Sequence, residues 1–290
     1  MIHYLPTIHS QREGFEQLAA LAKAAHELSA SRLEVNFSRC RFFDANMAAP
    51  LAAVLARVAD EFNAVEIVKV PGAIESILRK NQFLVAYGYG PLEDANHTTL
   101  PFIRVKLADE GRFADYLKHH MNGKGIPRMT EALGKRFRES IFEVFQNAVI
   151  HSRSRLGIFV CGQFYPQLQR LDITIADAGI GIRNNVRRFF KNDKISSVAA
   201  IRWALREGST TKIGSQPGGI GLKFLKDFIE LNKGKIHIAS RLGFFEFGNG
   251  GETFAKLAAD FPGTVVNLEI NTGDTSVYRL RSEISPADIF

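Results

Sequence analysis

Glu143-Val-Phe-Gln-Asn147-Ala-Val-Ile-His151 sets three polar side chains four residues apart. In an α-helix each such step turns ~400°, so the three share one face with a drift of ~40° per step. Phe137, Ile141, Val144, Phe145 and Ala148 form an apolar stripe beside them. Polar groups at the edge of aromatic bulk can line a cleft, although taken alone they also suit an ordinary solvated helix face.

Two later stretches share the chemistry of a ligand site. Leu171-Asp-Ile-Thr-Ile-Ala-Asp177 alternates as a half-buried strand, ends in a carboxylate and continues Ala-Gly179-Ile-Gly181. The carboxylate can accept a hydrogen bond from an amine, and glycine lets another backbone or a ligand come close. Pro217-Gly218-Gly219-Ile220-Gly221-Leu222 then runs directly into a predicted helix. Backbone N–H groups at a glycine-rich helix start can hold phosphate oxygens. Each stretch alone is weak, because turns after strands and before helices often look like this.

Taken in order and spacing, the three resemble the ATPase superfamily of gyrase, histidine kinases, mismatch-repair proteins and ninety-kilodalton chaperones (GHKL), whose ATP fold is named after Bergerat. Glu143, Asn147 and His151 match its N box. Asp177, Gly179 and Gly181 match its first glycine box, and Gly218, Gly219 and Gly221 its second. Gly263-Thr264 resembles the closing element. The resemblance spans roughly residues 98–272. It implies ATP and Mg²⁺ as cofactors, Asn147 as a magnesium ligand, Asp177 as the reader of the adenine amino group, and the Gly218–Leu222 backbone, Ile220 included, as the phosphate holder. His151 and Thr264 join the same cofactor-binding set. Residues 183–217 would be a mobile lid, Lys212 a contact to the γ-phosphate, and Glu143 the general base. No G-x-x-x-x-G-K-[ST] and no strand-following G-x-G-x-x-G competes.

The chain has 290 residues, enough for one large domain or two modest ones. Residues 33–37, 48–62, 65–70 and 73–81 read as strand, helix, strand and helix, with turn-forming residues over 87–99. The expected fold class is therefore α/β, in an α+β two-layer arrangement. A STAS-like α/β domain over 1–97, suited to docking or dimerisation, would precede a Bergerat domain over 98–275, a mixed sheet covered by helices on one face. A tail would follow at 276–290. In the STAS resemblance, Asp44-Ala45-Asn46 occupies the loop that normally carries a phospho-accepting serine. Neither Ala45 nor Asn46 has a hydroxyl.

The N box looks most like that of anti-sigma-factor serine kinases, which regulate STAS-fold partners. The resemblance therefore implies hydrolysis of ATP, or phosphorylation of Ser/Thr on a partner protein of STAS or sigma-regulatory type. A homodimer is compatible with it. The alternative is an ATP-gated interaction scaffold with little turnover. Histidine autokinase activity is not expected, because His119-His120 lies too close to the N box and no acidic residue follows either His.

Charge divides unevenly. Residues 1–97 hold 9 Lys/Arg and 11 Asp/Glu, whereas residues 183–212 alone hold 8 basic and 2 acidic side chains. A basic lid suits a polyphosphate, and with no nucleic-acid module in the sequence, nucleic acid is not the expected partner. Cys40 and Cys161 are the only cysteines, which excludes a disulfide framework or a cysteine zinc site. No apolar run reaches the ~18 residues of a membrane span, and no signal peptide is read, so membrane insertion is not expected and a bacterial cytoplasmic location is.

Overall fold

The computed structural model describes residues 1–106, 109–206, 209, 220–248 and 250–283. The fold is α+β. Its first part consists of β1 (Ile2–Tyr4), α1 (Arg12–Ala24), β2 (Arg32–Asn36), α2 (Ala48–Asp60), β3 (Ala64–Val68) and α3 (Gly72–Lys80). The three strands form a parallel sheet in the order β1-β2-β3, with α1 and α2 as the crossovers. The second part runs β4 (Thr99–Val105), α4 (Glu110–His120), β5 (Arg128–Met129), α5 (Glu131–Ser152), β6 (Ile158–Tyr165), β7 (Arg170–Asp177), α6 (Gly181–Phe190), α7 (Ser197–Ala204), α8 (Ile220–Asn232), β8 (Lys235–Gly248), β9 (Gly251–Asn271) and β10 (Val277–Tyr278).

β4-β6-β7-β9-β8 form one five-stranded sheet in which every pairing is antiparallel. The expected mixed sheet is thereby corrected. The second part's own helices α4, α5 and α8 lie on one face, and its other face is covered by the first part. Along β7, Leu171, Ile173 and Ile175 enter a core with Ile141, Phe145, Leu225 and Ile229 of α5 and α8. The intervening Ala176 enters a different core, built with Leu18, Leu51, Val54 and Leu55 of α1 and α2. The period-2 alternation of a strand puts these two sets on opposite faces. Helices therefore cover both sides. Each fully buried Leu or Val adds about 1.5–3 kcal/mol, and the inner faces of α1 and α2 are buried in this shared core.

Polar groups also bridge the two parts. Asn46 is fully buried; its Nδ2 lies 2.9 Å from Ser10 Oγ, 2.9 Å from Thr174 Oγ1 and 3.1 Å from Asn267 Oδ1. Arg170 donates to Asp44 (2.6 Å) and pairs with Asp172 (2.9 Å), and its guanidinium lies over the Tyr165 ring. Tyr165 Oη accepts from the Ala45 amide at 3.0 Å. Burial raises the Asp172 carboxyl well above its ordinary range, with Arg170 pulling the other way. The 44–46 loop, where the STAS resemblance would put a phospho-acceptor, is thus buried against the chain's own sheet.

Three further departures concern local structure. α1 was not anticipated, although Phe15, Leu18, Ala19 and Ala22 have helical spacing. β8 and β9 run past the strands that the sequence predicts at 235–240 and 264–270 into a long hairpin, and Phe244 of β8 packs on Phe15 of α1. The expected tail is tied back, since Val277–Tyr278 pairs in parallel with Arg128–Met129.

Candidate functional site

α5 starts at Thr130, whose hydroxyl accepts from the Leu133 amide at 3.3 Å, a serine/threonine cap that satisfies one free N–H of the first turn. Its 22 residues carry Asn147 and His151 into a cleft whose opposite wall is the end of β7 and the start of α6. Asp177, Gly181, Leu222 and Thr264 line the same cleft. Residues as far along the chain as Asp177 and Thr264 thus join a helix face about 30 to 117 positions upstream.

Asp177 is buried at the cleft floor, the last residue of β7, in register with Thr264 of β9. Its Oδ1 accepts from the Gly179 amide at 2.8 Å. Burial pushes the carboxyl up to about 7, against hydrogen bonds from the Gly179 and Thr264 amides that favour the ionised form. Asn147 is half-buried and makes no hydrogen bond among the described residues, so its carboxamide is available to a ligand. His151 lines the cleft, and its carbonyl accepts from Asn185 Nδ2 at 2.8 Å.

Glu143 sits one turn further back. Its Oε2 accepts from the Gly221 amide in the first turn of α8 at 2.8 Å, and its buried Oε1 has no hydrogen-bond partner. A Cβ at residue 221 would lie 2.5 Å from that Oε2, which is why this turn carries glycine. A carboxylate at a helix start is also favoured by the helix dipole.

The glycines of the first loop divide by role. Gly181 lines the cleft with φ +76°, a conformation most side chains resist, and a Cβ there would lie 2.7 Å from Arg241 Cγ. Gly179 does not line the cleft. A Cβ on it would stand 2.0 Å from the Ser152 carbonyl oxygen, so its smallness serves the packing of this loop on the end of α5, while its amide orients Asp177. Lys212, Gly218 and Gly219 lie outside the described residues. Of the expected lid at 183–217, the described part contains most of α6 and all of α7. Ser196 caps α7, and the buried Ser197 contacts β8 through a bond from the Leu242 amide at 3.2 Å.

Four cleft-shaping residues escaped the sequence reading. Trp203 of α7 and Asn185 of α6 line the cleft, as does the apolar Val144, which had been assigned only to the core stripe. Ser240, fully buried, accepts from the Ile182 amide (2.9 Å) and donates to the Gly263 carbonyl (3.1 Å), tying the start of α6 to the β8–β9 pair. Its signal is faint: a serine closing an alternating strand just before a register shift.

Among the described residues no group of three or more His, Cys, Asp or Glu could hold a metal by itself. No helix among them is long and apolar enough to cross a membrane. No protein-family model matches the chain, and no match is found among curated proteins.

Proposed function

We propose that the cleft between α5, β7 and α6 binds ATP with Mg²⁺, and that the protein is a regulatory ATPase or protein serine/threonine kinase of the Bergerat type. The observation that carries this reading is the arrangement at Asp177. A buried carboxylate oriented by backbone amides at the wall of a cleft can accept from a ring amine, and the Asn147 side chain, unpartnered among the described residues, faces the same cleft. A polar site built for one hydrogen-bond pattern rejects mismatched groups strongly. Asp177 thereby discriminates adenine from guanine.

The donor set fits Mg²⁺, a hard cation that takes oxygen ligands and keeps waters and phosphates in its shell. Asn147 would supply the protein oxygen, and the ion would neutralise charge on the phosphates. Glu143 Oε1, buried and unpartnered, takes a proton from the attacking water or hydroxyl. Its other oxygen stays on the Gly221 amide, which holds the carboxylate in place. The first amides of α8 direct positive dipole toward an anion.

That same Gly221 contact favours a second reading, an ATP-gated scaffold in which Glu143 chiefly organises the α8 turn and turnover is slight. Calorimetry with ATP and GTP tests the binding claim. Wild type should bind ATP well and GTP poorly, and Asp177→Ala should lose ATP. Equal ATP affinity in both proteins would remove the assignment. Incubation with γ-labelled ATP, separating free phosphate from labelled protein, then divides ATPase, kinase and scaffold.

A further inference from the structure

The end of α6 and the turn after it are exposed without interruption from Arg188 to Lys194: Arg188, Phe189, Phe190, Lys191, Asn192, Asp193, Lys194. Phe189 and Phe190 are 51% and 48% exposed, although both are adjacent phenylalanines in a water-facing helix end. They are not loose. Phe190 meets Trp203 edge-on at 5.3 Å, Phe189 lies 5.6 Å from the same indole, and the two phenyl rings stand at 90° to each other. Arg187 fixes the following turn by donating from Nε to the Ile195 carbonyl at 2.8 Å. A rigid three-ring cluster is thus held at the surface by its own framework.

The segment that carries it is predominantly basic. Residues 183–206 include Arg183, Arg187, Arg188, Lys191, Lys194, Arg202 and Arg206 against a single acid, Asp193. Opposing protein surfaces are usually mosaics of both signs. A segment this basic is complementary to a strongly negative surface. Single-stranded nucleic acid is one such partner, but it needs ring faces on which successive bases stack. Here Phe189 stands perpendicular to Phe190, and Phe190 to Trp203, so the three rings do not make one continuous stacking platform. Exposed phenylalanines flanked by Arg188, Lys191 and Lys194 match the boundary between headgroups and acyl chains in an anionic bilayer. There the rings enter the interface and the cations meet lipid phosphates and carboxylates.

We infer that the Phe189–Phe190–Trp203 cluster with its basic rim is a reversible docking site for anionic membrane surfaces. Binding combines two signals, shallow insertion of Phe189 and Phe190 and attraction by Arg188, Lys191 and Lys194. Trp203 is the only tryptophan of the chain, so its fluorescence reports the event directly. Because Trp203 also lines the proposed nucleotide cleft, the test is run without nucleotide, and its failure is then distinct from failure of the ATP reading.

The experiment is sedimentation of the full chain with vesicles of phosphatidylcholine alone or with about 30% phosphatidylserine, read alongside Trp203 emission. Wild type should bind the anionic vesicles at least about tenfold more tightly than the neutral ones, with a blue shift that high salt reverses. Phe189→Ala/Phe190→Ala should lose about tenfold in vesicle affinity, and Arg188→Glu/Lys191→Glu at least as much. All four positions are exposed, and an unchanged circular dichroism spectrum confirms that the variants fold. Equal binding to both vesicle types, binding unaffected by the double Phe variant, or tighter binding of an oligo-dT probe through the same phenylalanines would each overturn the assignment.

Discussion

The two faces of the five-stranded sheet solve opposite problems with the same strands. On the α5/α8 side, β7 presents Leu171, Ile173 and Ile175, and the cover is apolar except where Asp177 closes the strand. On the α1/α2 side the same strand presents Asp172 and Thr174, which join Asp44, Asn46 and Arg170 in a buried polar network. Apolar contacts are non-directional, so the first face can tolerate a cleft beside its core. Charged hydrogen bonds are directional and costly when broken, so the second face holds the N-terminal part in a single seat. The contrast assigns ligand chemistry to one side and orientation to the other.

The largest effect should come from the cleft side. Glu143→Ala is expected to keep ATP affinity and lower turnover by roughly 10²–10⁴-fold, measured as phosphate release or transfer. Turnover at the wild-type rate would move Glu143 from base to structural support. On the opposite face, Arg170→Met strands Asp44 and Asp172 as buried carboxylates without their cation. Urea denaturation should show a loss of about 3–5 kcal/mol, the usual consequence of removing one partner from a buried ion pair. A loss below about 1 kcal/mol would mean that the polar seat contributes little to holding the two parts together.

Asp177 sharpens the comparison through pH. Its carboxyl titrates near 7 in the fold against an ordinary value of 3.8, so the folded state retains a proton that the unfolded chain has released. Stability from this group is full below the lower value, falls as pH rises between the two, and is absent above about 7. Asp177→Asn keeps an acceptor for the Gly179 amide and carries no charge. The variant should therefore be more stable than wild type at pH 8, by up to about 4 kcal/mol, with the advantage vanishing near pH 4. Melting curves across that range test it, and a pH-independent difference would contradict the burial argument. The same substitution should weaken ATP binding, so that stability and ligand affinity move in opposite directions.

The smallest effect is expected at Asn46. Asn46→Ala removes the donor shared by Thr174, Asn267 and Ser10 and should cost about 1–3 kcal/mol, since buried acceptors lose a partner. An unchanged denaturation midpoint would show that apolar packing of α1 and α2 alone seats the N-terminal part.

These contrasts also separate what could be read from residues and what could not. Polar residues spaced by four on α5, an alternating strand ending in Asp177, and a capping threonine before a long helix are local patterns, each confined to one element. The resemblance to the GHKL superfamily, and no single pattern, implied that Asn147, His151, Asp177, Gly181 and Thr264 share a site, and the fold brings all five to one cleft. Trp203 and Ser240 were missed because nothing near them in the chain marks their role; both act on neighbours from other elements. Gly179 was read as room for another backbone or a ligand, and it makes room for the Ser152 carbonyl, a contact between segments 27 positions apart.

By itself the amino-acid sequence determined the elements and the chemistry each could present, because helix and strand periods are set by a few successive residues and their neighbours three or four positions away. Only the tertiary structure decided that the 44–46 loop is buried against β7, that α1 and α2 cover the second face of the sheet, and that the chain's only tryptophan stands between a cleft and an aromatic surface. The reason is physical. A period states which residues share a face, but which surface that face meets depends on area, shape and charge contributed by residues a hundred or more positions away.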